Sequence, residues 1–173
     1  EIFSSDPFAV IMIGRGIGLG MMIDNKIFNG HLAGGEVSHI TAIDSNYKKK
    51  CQCGREGCIS TILSKKHLVE RILNYKNKLD EKKIYRLKKD PINFIENSNL
   101  NIKKEIERDV IESVSELLKI ITEIYSPKEI IISSAYNFTD KLKTKIKNHY
   151  SDKLFLPDKF TNNIKYKKLA NDE

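Results

Sequence analysis

The chain has only three cysteines, and they fall within eight residues, as Cys51-Gln52-Cys53-Gly54-Arg55-Glu56-Gly57-Cys58, with His39 twelve positions before the first. Three thiolates and one imidazole form a full donor set for tetrahedral Zn²⁺ in a structural site. Gly54 and Gly57 let the backbone fold back far enough for Cys53 and Cys58 to reach one ion. The competing reading is chance proximity of three reduced thiols. A cysteine-poor chain has no packing reason to gather thiols in a charged loop, and an odd count with a Cys-x-Cys spacing suits a disulfide framework poorly. The sequence predicts one structural zinc on His39, Cys51, Cys53 and Cys58. Its donor set carries one net negative charge, which Arg55 or Lys50 could offset.

A second concentration of unusual residues is Gly14-Arg15-Gly16-Ile17-Gly18-Leu19-Gly20. Glycines can offer backbone N–H groups to phosphates. Here the reading as a close strand-to-strand turn is the stronger one, because Arg15 is bulky for a tight cradle. Lys48-Lys49-Lys50 is the only compact basic run, and it abuts the cysteines.

The elements that must position these residues are legible from periodicity. Phe8-Ala9-Val10-Ile11-Met12-Ile13 is a short apolar run ending in glycine, which predicts a buried strand. A second strand is predicted over 18–23, and Asp24-Asn25, which both tolerate positive φ, predict a two-residue turn into Lys26-Ile27-Phe28. Residues 30–35 read as a loop, and the metal segment then runs to Cys58. Ser64 reads as the N-cap of a helix with Leu68, Val69, Ile72 and Leu73 on one face. Residues 74–101 read as a polar, partly helical excursion. The clearest helix is 102–125, where Ile106, Val110, Val114, Leu117, Leu118 and Ile121 recur at three- and four-residue steps before Pro127. A buried strand over 129–133, a helix over 139–149 and a last strand over 163–169 complete an α/β pattern with a mixed sheet.

At 173 residues and 40% hydrophobic content, the chain can build one domain with its own core. No apolar run approaches the roughly 20 residues that cross a bilayer, and no signal peptide is legible at the start. Reduced, metal-bound cysteines suit the cytoplasm. The net charge of +7 suggests a nucleic-acid partner, but the lysines are interspersed with acids, as in Asp80-Glu81-Lys82-Lys83, which predicts solvated helix faces. A start without methionine, just ahead of a strand, predicts a piece of a longer protein.

Glu36-Val37-Ser38-His39 followed by Cys51-x-Cys-Gly-x-x-Gly-Cys58 resembles the Glu-x-Gly-His and Cys-x-Cys-Gly-x-x-Gly-Cys-x-Glu segments of the ROK family of sugar-responsive repressors and sugar kinases. Residues 13–20 resemble its second glycine-rich segment, Ser126-Pro127-Lys128-Glu129-Ile130-Ile131-Ile132 its Pro-x-x-Ile-x-Ile strand, and Leu169-Ala170-Asn171-Asp172 its closing Leu-Gly-Asn-Asp. The resemblance implies the C-terminal lobe of an actin-like, ribonuclease-H-like fold. It implies that Glu36 contacts sugar hydroxyls, and that His39 contacts sugar with one ring nitrogen and zinc with the other. Ser60 takes the place of the family's second sugar-contacting glutamate, and Ser38 that of a glycine.

The resemblance also places the kinase base and the first phosphate segment in a lobe that precedes this chain. Gly14, Arg15, Gly16 and Gly18 are then the candidate phosphate loop, with Arg15 where the family has threonine, while Ser133-Ser134 replace the Gly-Gly pair beside adenosine. These departures favour a regulator: a sugar-binding lobe, joined to operator DNA through an absent helix-turn-helix, in a homodimer or higher oligomer. The alternatives are a fragment of a ROK sugar kinase and, more remotely, a zinc-ribbon module binding nucleic acid through Lys48, Lys49, Lys50 and Arg55. Xylose, glucose and N-acetylglucosamine all fit the family.

Overall fold

The computed structural model describes residues 7–32, 34–41, 47–75, 79–157 and 163–169. Five strands form one mixed sheet: β1 (Phe8–Ile13), β2 (Ile17–Ile23), β3 (Lys26–Ile27), β4 (Glu129–Ser134) and β5 (Asn163–Lys168), in the order β3-β2-β1-β4-β5. β1 is antiparallel to β2 and parallel to β4, β3 is antiparallel to β2, and β5 is parallel to β4. This is the ribonuclease-H-like arrangement that the resemblance implies.

Strand alternation decides which face is covered. Ala9, Ile11 and Ile13 of β1 are fully buried, as are Ile130 and Ile132 of β4, whereas Met12, one step out of phase, is half exposed. Asp24 and Asn25 both adopt positive φ (51° and 58°), so the predicted two-residue turn joins β2 to β3.

The helices are α1 (Ile59–Leu63), α2 (Lys65–Tyr75), α3 (Glu81–Lys89), α4 (Pro91–Glu96), α5 (Lys103–Tyr125) and α6 (Asp140–Lys153). The predicted apolar stripe of α5 is buried in full, and Ser126 in the left-handed region (φ 48°) ends the helix just before Pro127. A polar side of α5 is buried too. Ser115 Oγ donates to Ile146 O (3.2 Å), and Thr122 Oγ1 lies 2.8 Å from the Tyr150 hydroxyl, so α6 packs along that side. The α6 helix starts at its cap Thr139, as expected, and runs one turn beyond the predicted end.

The excursion over 74–101 contains two short capped helices. Asp80 accepts from Lys83 N, and Asp90, followed by Pro91 at the first helical position, accepts from Asn93 N. Ala170, Asn171 and Asp172 of the closing segment lie outside the described residues. Among the described residues, no helix is long and apolar enough to cross a membrane.

Candidate metal centre and its rim

His39 is delivered by a 3-10 turn, Val37–His39, whose entry depends on Gly35. The Leu19 N–H donates to Gly35 O (3.1 Å), and Gly35 O also accepts from Val37 N (2.8 Å). Gly35 has φ +84°, and a β-carbon there would stand 2.1 Å from Leu19 O, so only glycine lets the segment pass this close to β2. Val37 and Ser38 point inward and are buried, whereas Glu36 is exposed.

The cysteine loop folds on itself. Cys51 N donates to Arg55 O (2.7 Å), Gly54 N to Cys51 O (3.0 Å) and Gly57 N to Lys49 O (3.1 Å). Gly54 (φ +90°) and Gly57 (φ +68°) take the positive φ that these reversals need. Two contacts stitch the loop to the histidine segment: Ile59 N donates to Ile40 O (2.8 Å), and Thr41 bridges Cys58. Cys58 then opens α1, where its carbonyl accepts from both Thr61 N (2.8 Å) and Thr61 Oγ1 (2.7 Å).

These segments bring His39, Cys51, Cys53 and Cys58 together with all ligand atoms within 4.8 Å of one another. His39 Nδ1 lies 3.5 Å from Cys51 Sγ, and Cys53 Sγ lies 3.6 Å from Cys58 Sγ. A disulfide would need about 2.05 Å, and all three cysteines are free. Zinc bond lengths of about 2.3 Å to sulfur and about 2.0–2.1 Å to nitrogen give tetrahedral edges of about 3.6 Å (N to S) and about 3.8 Å (S to S). The two observed separations match those edges. The cluster could hold a metal ion, and Nδ1 is the ring nitrogen of His39 turned toward it.

Arg55 is the cation at the cluster. Its backbone N–H, and secondarily its side chain, hydrogen-bond Cys53 and pull that thiol down to about 6. Burial pushes Cys58 the other way, up to about 12. Lys50 forms a backbone bridge to Glu56. Lys49 is paired with Glu70 of α2 at 2.5 Å, so the basic run is partly neutralised.

Ser60 stands on α1 two residues after Cys58, with its Oγ 3.7 Å from Cys51 Sγ. Sequence reading missed α1 itself. Ser64 is extended (φ −68°, ψ 145°), its N–H donating to Ser60 O and its carbonyl accepting from Leu68 N, so it closes α1 and opens α2 at the predicted cap. Its hydroxyl lies 2.7 Å from His67 Nδ1, which is also 3.0 Å from Ser60 O.

The glycine segment forms the turn between β1 and β2. Gly14 N donates to Gly16 O (2.9 Å), so this N–H is engaged within the turn, and the Gly14 carbonyl accepts from Lys65 N (2.9 Å). Arg15 is exposed at the tip. At the end of β4, Ser134 is buried with its Oγ accepting from Tyr136 N (2.9 Å), and the Tyr136 hydroxyl donates to Leu63 O (2.7 Å). A cavity of about 820 Å³ lies beyond, lined by Arg86, Lys89, Asp90, Asn93, Phe94 and Asn137 among others, and none of the cysteine-cluster residues lines it.

Comparison with known proteins agrees with this geometry. The ROK family model matches residues 5–172. The xylose repressor of Bacillus subtilis (strain 168) is 36% identical over 84 residues, covering 47% of this chain and 21% of the repressor. The DNA-binding transcriptional dual regulator NagC of Escherichia coli (strain K12) is 25% identical over 143 residues, covering 77% of this chain and 33% of NagC. The chain thus spans between a fifth and a third of these relatives. In fold, it resembles a ROK hexokinase from Thermus thermophilus with a TM-score of 0.72 at 16% identity, covering 94% of this chain and 52% of the hexokinase. An actin-like lobe with a mixed sheet, a cysteine–histidine cluster held between a 3-10 turn and α1, and a family match along nearly its whole length lead to one conclusion: the chain belongs to the ROK family.

Proposed function

We propose that this chain is the zinc-containing, sugar-effector-binding C-terminal lobe of a ROK-family transcriptional regulator. The observation that carries the reading is the contrast between its two sides. The cluster side keeps a full donor set with Glu36 and His39 at its rim, while on the phosphate side the Gly14 N–H is engaged in its own turn and a buried serine stands in place of a glycine. The curated relatives named above are regulators.

Zinc on His39, Cys51, Cys53 and Cys58 holds the loop closed and fixes the imidazole. With Nδ1 committed to the ion, His39 Nε2 is left for a sugar hydroxyl. Glu36 accepts from neighbouring hydroxyls, and a charged acceptor makes those bonds stronger than neutral ones. Ser60 offers a shorter, neutral contact at the same rim. In the full-length regulator the sugar draws the preceding lobe onto this one and shifts the populations of a DNA-binding homodimer in the cytoplasm.

The second reading is a lobe of a ROK sugar kinase, which the fold likeness to the hexokinase favours. Calorimetric titration of the full-length protein with xylose, glucose and N-acetylglucosamine, run beside an ATP-turnover assay with the same sugars, separates the two. The regulator reading expects saturable sugar binding without ADP release. It further expects Glu36→Ala to weaken binding roughly ten- to hundredfold, the effect of removing about 1–3 kcal/mol of hydrogen bonding. Sugar-dependent ADP release overturns the regulator reading, and binding indifferent to Glu36 places the effector elsewhere.

A further inference from the structure

We propose that Ser60 is an outer ligand of the metal centre, a positioning residue whose hydroxyl donates to the Cys51 thiolate. The proposal rests on the zinc reading above. Ser60 Oγ lies 3.7 Å from Cys51 Sγ, within reach of an O–H···S bond. A metal-bound thiolate carries no proton, so the serine must be the donor.

The backbone holds Ser60 in this position from both sides. Cys58, itself in the cluster, opens α1 two residues earlier and receives two hydrogen bonds from Thr61. On the other side the Ser60 carbonyl accepts from Ser64 N (3.2 Å) and lies 3.0 Å from His67 Nδ1. The hydroxyl is thus carried on a helical turn anchored by one ligand and aimed at another.

Charge explains the use. Three thiolates and a neutral imidazole leave an excess negative charge, which donors around the sulfurs must spread. Cys53 receives Arg55. Cys58 Sγ lies 3.6 Å from Cys53 Sγ and 3.7 Å from the His39 carbonyl, and in a metal-bound cluster neither offers a proton to a thiolate. Cys51 receives Ser60. An ionised carboxylate at this position has acceptors only and would repel the sulfur, whereas a hydroxyl has one donor for Cys51 and lone pairs left to accept from a sugar.

The test uses Ser60→Ala and Ser60→Thr, with far-UV circular dichroism confirming that each folds. Zinc affinity is read by competition with a chromophoric chelator, and Co²⁺ is substituted so that the thiolate-to-metal charge-transfer band can be followed at saturation. Ser60→Ala should weaken zinc about 10- to 100-fold, the usual cost of losing an outer partner. It should also move the band to lower energy, because an unbonded thiolate is more electron-rich. Ser60→Thr, which keeps the hydroxyl, should retain wild-type affinity and band position. Wild-type affinity with an unmoved band in Ser60→Ala overturns this proposal alone. A wild-type protein that takes up neither metal overturns the zinc reading and this proposal together.

Discussion

Arg71 of α2 and Asp109 of α5 form an ion pair in the core, with Nη2 2.8 Å from Oδ2 and side chains only 3% and 0% exposed. Glu105 meets the same guanidinium, which also sits 4.0 Å over the Tyr47 ring. The pair ties α2 to the long helix α5.

Breaking this pair from one side leaves a buried charge with only a half-exposed second partner, Glu105 for Arg71 or Arg108 for Asp109. Asp109→Ala should destabilise the protein by about 3–5 kcal/mol, whereas the double replacement Arg71→Met with Asp109→Leu should cost much less. Urea unfolding of the three proteins checks this, and equal losses in the single and double variants would contradict it.

Gly35→Ala should damage the rim through its backbone. The new methyl meets the Leu19 carbonyl at 2.1 Å in a conformation that L residues rarely adopt. The expected loss is about 2–5 kcal/mol, accompanied by weaker metal retention, since this segment delivers His39. Thermal unfolding and metal content would show it. Gly16→Ala, where a β-carbon meets nothing within 4 Å, is the control and should be nearly silent.

Metal removal should act locally. Protein purified without added metal should carry close to one zinc per chain, and Cys53→Ser should lower that occupancy sharply. The α5 helix, whose apolar stripe is buried in the main core, should keep its circular dichroism signal. Elemental analysis with far-UV spectra decides, and a metal-free protein with an ordered cysteine loop would sink the assignment.

His67 gives a pH dependence with a definite sign. Burial, seconded by nearby Lys49, lowers its pKa below the ordinary imidazole value. The unfolded chain therefore binds a proton that the folded chain refuses, so stability rises with pH across this interval. The contribution is fully present above about pH 6.5 and is lost as pH falls toward the lower folded value. His67→Gln should show a smaller stability difference between pH 7.5 and pH 5.5 than the wild type in urea unfolding; the acid sensitivity of the metal ligands is common to both proteins and cancels.

The metal cluster was legible because its signal lies in residue type and spacing, and α5 because a helix of six turns repeats its apolar step many times. The short helix α1 was not. It is a single turn of Ile, Ser, Thr, Ile and Leu, defined less by propensity than by Thr61 closing on the Cys58 carbonyl. Asp109 went unread for a related reason: an acid that follows the charged run Lys103-Lys104-Glu105-Ile106-Glu107-Arg108 looks solvated until Arg71 arrives from 38 positions away. The caps Asp80 and Asp90-Pro91 are readable signals inside an otherwise polar stretch.

The corner between α1 and α2 has a mechanical consequence. Lys65 N holds the Gly14 carbonyl at the hairpin tip, while the Leu63 carbonyl two residues earlier receives the Tyr136 hydroxyl from the end of β4. The cysteine loop, the hairpin tip and the β4 end are therefore fastened at one joint, so a displacement of the cysteine loop should be felt at both strand ends. Slow amide exchange at Lys65 should serve as the gauge of that joint, rising when the metal is withdrawn although Lys65 touches neither metal nor sugar.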